Sequence, residues 1–353
     1  MAYTNIDDPS AHFQVELYTG NSSTNTITFS GNSNMKPDLV WNKRRDVGYS
    51  HRLWDSSRGV TKYVASESTV AEATFGYVSS FNTDGITFGN NDQSVNVSGG
   101  SYVLWNWKAN GGTTSSNTAG NITSTVQVNS TAGFSIVTWT GNENSSATVG
   151  HGLGVKPDMV FFKRRNATYN WVVYCGQLGI VGGNNMFAYL NLTNAAEQGA
   201  GFNFTSTTIT PTNGAPTNSG NMIAYCFAEK QGYSKFGKYV GNGDYDGPFV
   251  YTGFKPAFVL LKNASAYESW AVYDTARNIF NLTNLKLSPD TADSENNNGG
   301  IGGTAYNNID ILSNGFKCRS NNAATNASAN TIIYMAFAEN PFVTSTGVPA
   351  CAR

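Results

Sequence analysis

A lysine-proline step followed by an apolar strand occurs three times in this chain. It reads Met35-Lys36-Pro37-Asp38-Leu39-Val40-Trp41, Val155-Lys156-Pro157-Asp158-Met159-Val160-Phe161 and Phe254-Lys255-Pro256-Ala257-Phe258-Val259-Leu260. A recurring phrase of this kind marks an array of copies of one supersecondary unit. It constrains the fold more than any single motif does, because each copy must close a similar core.

Each copy can be followed from front to back. It opens on a strand that ends in an aromatic and runs into Gly-Asn: Tyr18-Thr19-Gly20-Asn21, Trp139-Thr140-Gly141-Asn142 and Tyr239-Val240-Gly241-Asn242. After the Lys-Pro strand comes a third strand, His51-Arg52-Leu53-Trp54, Trp171-Val172-Val173-Tyr174 or Trp270-Ala271-Val272-Tyr273. The copy closes on an apolar run: Tyr102-Val103-Leu104-Trp105-Asn106-Trp107, Met222-Ile223-Ala224-Tyr225-Cys226-Phe227 or Ile332-Ile333-Tyr334-Met335-Ala336-Phe337. Short strands with turn residues between them predict an all-β chain of three tandem antiparallel β-sandwich units, jelly-roll or lectin-like, each of roughly 100 residues. The expected boundaries are 1–110, 131–230 and 231–343. Between the first two lies a Gly/Ser/Thr/Asn-rich linker, 111–130, and the chain ends in a tail, 344–353.

Successive strand side chains point to opposite faces. On one face the copies agree on bulk: Leu39/Met159/Phe258, Trp41/Phe161/Leu260 and Trp107/Phe227/Phe337. These predict the core between the two sheets of each unit. On the other face unit one carries Asn42, Arg52, Asn106 and Lys108. Unit two has Phe162, Val172, Cys226 and Ala228 there, and unit three has Leu261, Ala271, Ala336 and Ala338. This predicts a wet outer face on unit one. Phe162, Val172, Cys226, Leu261, Ala271 and Ala336 are then expected at a contact between units or chains.

Composition narrows the function classes. Charged residues are 13% of the chain, about half the roughly 25% of ordinary domains. A net charge of −1 gives no overall field toward nucleic acid or an anionic membrane. The cysteines, Cys175, Cys226, Cys318 and Cys351, have no metal spacing, and the three histidines are scattered. The first residues show no signal-peptide pattern, and no stretch has the length of a membrane span. Neither a cofactor nor a metal is expected.

Two basic runs are equivalent, Lys43-Arg44-Arg45 and Lys163-Arg164-Arg165. With Tyr49 and Tyr169 just beyond them, they are the candidate surface contacts. The sharper reading is a grip on a polyanion or glycan. The plainer one, which is preferred, is solvated charge or partners for carboxylates on a neighbouring chain. Asp55-Ser56-Ser57-Arg58 and Asp274-Thr275-Ala276-Arg277 match in frame and read as local ion pairs that pin a turn. No paired carboxylates of the glycosidase kind stand out, so no catalytic residue is assigned.

The chain also carries the phrases Ile6-Asp7-Asp8-Pro9-Ser10, Lys36-Pro37-Asp38-Leu39-Val40-Trp41, Asp55-Ser56-Ser57-Arg58-Gly59, Gly150-His151-Gly152-Leu153-Gly154-Val155-Lys156-Pro157, Gly232-Tyr233-Ser234-Lys235-Phe236-Gly237 and Tyr334-Met335-Ala336-Phe337-Ala338-Glu339-Asn340-Pro341-Phe342. Together they resemble a repeat family of marine tailed-phage virion proteins, often described as tail-fibre-like. The resemblance implies a non-enzymatic virion structural protein, made in the host cytoplasm without a signal peptide. It would act as a tail fibre, spike or adhesin presenting loops to the host. Expected partners are other virion proteins, further copies of the chain (a trimer first) and host surface glycan. Nucleic acid and membrane insertion are not expected. The alternatives are a capsid decoration protein and a glycan-binding or glycan-cleaving sandwich.

Overall fold

A computed structural model describes residues 3–89, 91–199, 202–211, 217–295 and 309–349. The chain is all-β, with antiparallel pairing in every sheet. Three larger sheets each face a smaller three-stranded sheet. In each larger sheet the same four strands lie in the same order: opening, closing, Lys-Pro, third. In unit one these are Phe13–Thr19, Ser101–Trp107, Leu39–Arg44 and Arg52–Asp55. In unit two they are Phe134–Asn142, Ser219–Phe227, Met159–Arg164 and Val172–Cys175. In unit three they are Ser234–Val240, Thr331–Pro341, Phe254–Asn263 and Ala271–Asp274. The closing strand therefore sits mid-sheet, and its unbroken apolar run reflects cover on both faces.

What provides that cover reverses the expected roles of the two faces. The positions of shared bulk do not lie between the two sheets of one unit. They meet in a single core drawn from all three units. The equivalent residues Trp107, Phe227 and Phe337 touch one another, with ring centroids 5.6–6.2 Å apart, and mark a pseudo-threefold axis. Conversely, Phe162, Val172 and Cys226 pack inside unit two, and Leu261, Ala271 and Ala336 inside unit three. They are not an inter-unit or inter-chain surface. The physical reason is symmetry. A residue at the axis meets its own counterparts, so the three copies need matching bulk. Each sandwich interior meets a different small sheet and is free to vary.

Unit one's supposed wet face is also internal. Asn42 and Asn106 are fully buried beside Val40, Trp54 and Leu104. Tyr18 Oη donates to Asn42 Oδ1 at 2.9 Å, and Asn42 Nδ2 donates to the Ser94 carbonyl at 2.8 Å. Asn106 Nδ2 reaches the Gln14 carbonyl. Buried amides are tolerated where such partners exist. The half-buried Arg52 lays its guanidinium over the Tyr63 ring at 4.9 Å.

The segment 111–130, read from composition as a linker, carries two strands, Ser115–Asn117 and Ser124–Asn129. The second pairs along the opening strand of unit two and extends its sheet. The alternation Ser124-Thr125-Val126-Gln127-Val128 is a strand pattern hidden in Ser/Thr-rich surroundings. In the tail, Ser345 is held by the Asp7 carboxylate through its amide and hydroxyl. Residues 350–353, with Cys351, lie outside the described residues. The other three cysteines are buried free thiols, and burial pushes Cys226 up to about 12.

Candidate functional site

The basic runs do not form an open anion site. Lys43, Lys163 and the equivalent Lys262 have no exposed surface. Each ammonium spans two units by donating to backbone carbonyls. Lys43 Nζ donates to Arg44 at 2.8 Å and to Ala292 of unit three at 3.0 Å. Lys163 Nζ donates to Tyr169 at 2.6 Å and to Thr69 of unit one at 2.8 Å. Lys262 Nζ donates to Asn263 at 2.6 Å and to Thr193 of unit two at 3.1 Å. The three bonds close a ring, each unit holding the one before it. A second ring runs alongside: His51 Nε2 faces Ser288 O, Trp171 Nε1 donates to Ala65 O, and Trp270 Nε1 donates to Tyr189 O. Because Trp41 Nε1 donates to His51 Nδ1, the neutral imidazole donates from Nε2.

Burial lowers each of the three lysines to about 8. Between that value and the ordinary lysine range near 10.5, the unfolded chain binds more protons than the folded one, so stability rises with pH. Denaturant midpoints are therefore expected to increase from pH 7.5 to 8.5, below the values near which the unfolded cysteines and tyrosines ionise. A fall over that interval would contradict the buried-ammonium geometry.

The arginines of the runs are also engaged. Arg45 pairs with Glu295 of unit three at 2.8 Å, and Arg165 with Glu72 of unit one at 2.8 Å. The plainer expectation is solvated charge or carboxylates on a neighbouring chain; these carboxylates belong instead to a neighbouring unit of the same chain. Arg44 pairs with Asp46 and lies 5.1 Å over the Tyr49 ring. Arg164 lies 4.8 Å over Tyr169. The tyrosines proposed for surface contact thus carry a guanidinium on one ring face. The Asp55–Arg58 and Asp274–Arg277 pairs exist, at 2.5 and 2.6 Å, but with both partners fully buried.

The outer face of unit three's small sheet was not singled out in the sequence reading. That sheet is built from Phe249–Tyr251, Gly315–Cys318 and Ile309–Leu312. Val250 points inward against Phe316, so Phe249 and Tyr251 point outward, 47% and 52% exposed. Side chains two residues apart on one strand face stand roughly 7 Å apart. Lys317, opposite Phe249, pairs with Asp246 at 2.6 Å, while Arg319 Nε pairs with Asp310 at 2.7 Å. Beyond the far edge, Asn281 is bonded to the backbone of Ile311 through both its amide oxygen and nitrogen. This leaves the neighbouring Phe280 72% exposed.

The sister faces carry none of this. The places of Phe249 and Lys317 are taken by Thr26 and Thr87 in unit one, whose hydroxyls bond to each other at 3.0 Å, and by Thr148 and Thr210 in unit two. The signal available in sequence was the alternation Phe249-Val250-Tyr251 where the other copies have small polar residues. Two exposed rings beside two ion pairs can stack on an apolar ring face and hydrogen-bond groups at its rim. Among the described residues no three His, Cys, Asp or Glu side chains group as a metal site.

No curated protein and no solved structure matches the chain. A family model described as a domain of unknown function, DUF7483, matches residues 8–341. That span takes in all three sheet pairs, the lysine ring and the aromatic face. The chain belongs to the DUF7483 family.

Proposed function

We propose that this chain is a non-enzymatic structural protein of a tailed-phage virion, an attachment module of fibre or spike type. Its third unit meets host surface glycan. The observation that carries this reading is the outer aromatic face of that unit, with Phe249 and Tyr251 exposed at places where unit one has Thr26 and Thr28 and unit two has Thr148 and Gly150. Lys43, Arg45, Lys163 and Arg165 of the basic runs are committed to internal seams, so the aromatic face stands out as the chemically distinct surface. The resemblance of the quoted phrases to marine phage virion proteins supports this setting. The capsid-decoration alternative rests on the lack of heptad or collagen-like stretches in the sequence and on apolar outer faces suited to a fixed seat, and the second support weakens because those faces are covered within the chain.

The test is a Phe249→Ala, Tyr251→Ala double variant assayed for adsorption to host cells and to their purified surface polysaccharide. Binding is expected to fall at least about tenfold, equivalent to about 1.4 kcal/mol, with the melting temperature unchanged. A Thr26→Ala, Thr148→Ala control is expected to bind normally. Undiminished adsorption by the double aromatic variant would refute the proposal.

A further inference from the structure

An open groove of about 340 Å³ runs between units one and three. Four consecutive residues, 13–16, line one side of it. Neighbours of both parities touch the space, so it lies along the edge of the strand Phe13–Thr19 rather than over either face. That strand is the last on its side of the six-stranded sheet, with no further strand beside it among the described residues. Gln14 and Glu16 bind the backbone of Ser30, Gly31 and Ser33, which fixes the floor. The far wall belongs to unit three.

The equivalent groove between units two and one is filled. There the strand Ser124–Asn129 pairs along the edge of Phe134–Asn142, with Gln127 opposite Ile136. Gln127 crosses to unit one, donating from Nε2 to Ser56 and Ser57 at 3.0 and 2.9 Å. Its Oε1 accepts from the amides of Asn110 and Gly112. In the matching frame Ser56 and Ser57 become Thr275 and Ala276 of unit three, Asp38 becomes Ala257, and Lys108 becomes Ala338. The open groove therefore has the shape of the filled one with a more apolar wall.

We propose that this groove accepts an extended segment of another polypeptide chain. The segment adds as a strand to the edge of Phe13–Thr19 and places an apolar side chain where Gln127 sits in the filled counterpart. An uncovered edge offers a row of backbone donors and acceptors, and strand addition uses these for affinity and side-chain pockets for choice. The incoming residue that faces Ala257, Ala276 and Ala338 is aliphatic, because a glutamine there would lose the hydroxyl that Gln127 finds in Ser57, now Ala276, and keep a single hydroxyl at Thr275 in place of Ser56.

The probe is a synthetic peptide with the sequence of residues 122–131, carrying leucine in place of Gln127, added in excess to the full chain. Hydrogen exchange of residues 13–16 is expected to slow at least tenfold, and the glutamine form of the peptide is expected to protect less. Ala276→Arg, a half-buried wall position, is expected to abolish the protection without moving the melting temperature. Unchanged exchange at residues 13–16 with the leucine peptide would overturn the proposal. So would protection that survives Ala276→Arg. Concentration-dependent dimerisation of the chain alone that protects these residues would overturn the choice of a foreign chain as occupant.

Discussion

Replacing Trp107 by alanine is expected to cost about 3–5 kcal/mol, the range for an aromatic removed from a packed core. It is also expected to loosen three sheets at once. Trp107 is buried to within 1% and makes ring contacts in every unit. It touches Phe13 of its own unit at 5.0 Å, Phe227 of unit two at 6.2 Å, and Phe258 and Phe337 of unit three at 5.8 and 5.6 Å. The cavity would open on the axis, where each wall is a strand buried on both faces and collapse is limited. The check is a denaturant titration read by near-ultraviolet dichroism and by hydrogen exchange in the three closing strands. Loss of protection confined to unit one would show that the axis does not couple the units.

The second large effect lies at the seams between units. At the seam of units one and two, Arg58 sits between Asp55 at 2.5 Å and Glu72 at 3.0 Å, and Glu72 also binds Arg165. Tyr225 donates to Asp55 at 2.8 Å. Burial pushes Glu72 up, but the two guanidinium groups outweigh it and hold the carboxyl below its usual range. Its contribution is present above the unfolded value and is lost as pH falls through the folded one. The seam of units three and one repeats the arrangement with Asp274, Arg277, Glu295, Arg45 and Trp105.

The third seam, between units two and three, has Cys175, Leu178, Ala196, Ala264 and Met335 at these places, and joins Ala196 N to Ala264 O at 2.8 Å just as Glu72 N joins Arg165 O at 2.7 Å. The chain thus contains both an ionic and an apolar solution to one packing problem. Arg58→Met leaves Asp55 and Glu72 short of their buried cation and is expected to cost about 3–5 kcal/mol. Converting the whole seam, with Asp55→Cys, Arg58→Leu, Glu72→Ala, Arg165→Ala and Tyr225→Met, is expected to be near neutral or to stabilise by about 1–4 kcal/mol. Urea midpoints of the two variants decide this. A full conversion as damaging as Arg58→Met alone would mean that the ionic seam contributes net stability.

Repeated phrases made the fold class and the order of strands within each unit legible, because local pattern and turn chemistry carry that information. Parity also separated two faces on every strand, with Leu39, Trp41 and Trp107 on one side and Asn42 and Asn106 on the other. It does not say what covers each face, and that depends on contacts between residues over a hundred positions apart. Lys43 and Lys163 read as surface charge for the same reason. The carbonyls that hold them belong to Ala292 and Thr69, and nothing near the lysines in sequence announces those partners. The aromatic face was legible in principle. Phe249 and Tyr251 alternate around the inward Val250, whereas Tyr49 and Tyr169, next to the basic runs, have rings that already carry an arginine.

The claim on which the rest depends is that three sheet pairs share one core and fold as one body. Hydrogen exchange through a urea titration of the intact chain tests it most directly, read in the closing strands Ser101–Trp107, Ser219–Phe227 and Thr331–Pro341. The shared core predicts that all three lose protection at the same urea concentration. Release of one closing strand at a lower concentration, with the other two still protected, would contradict it.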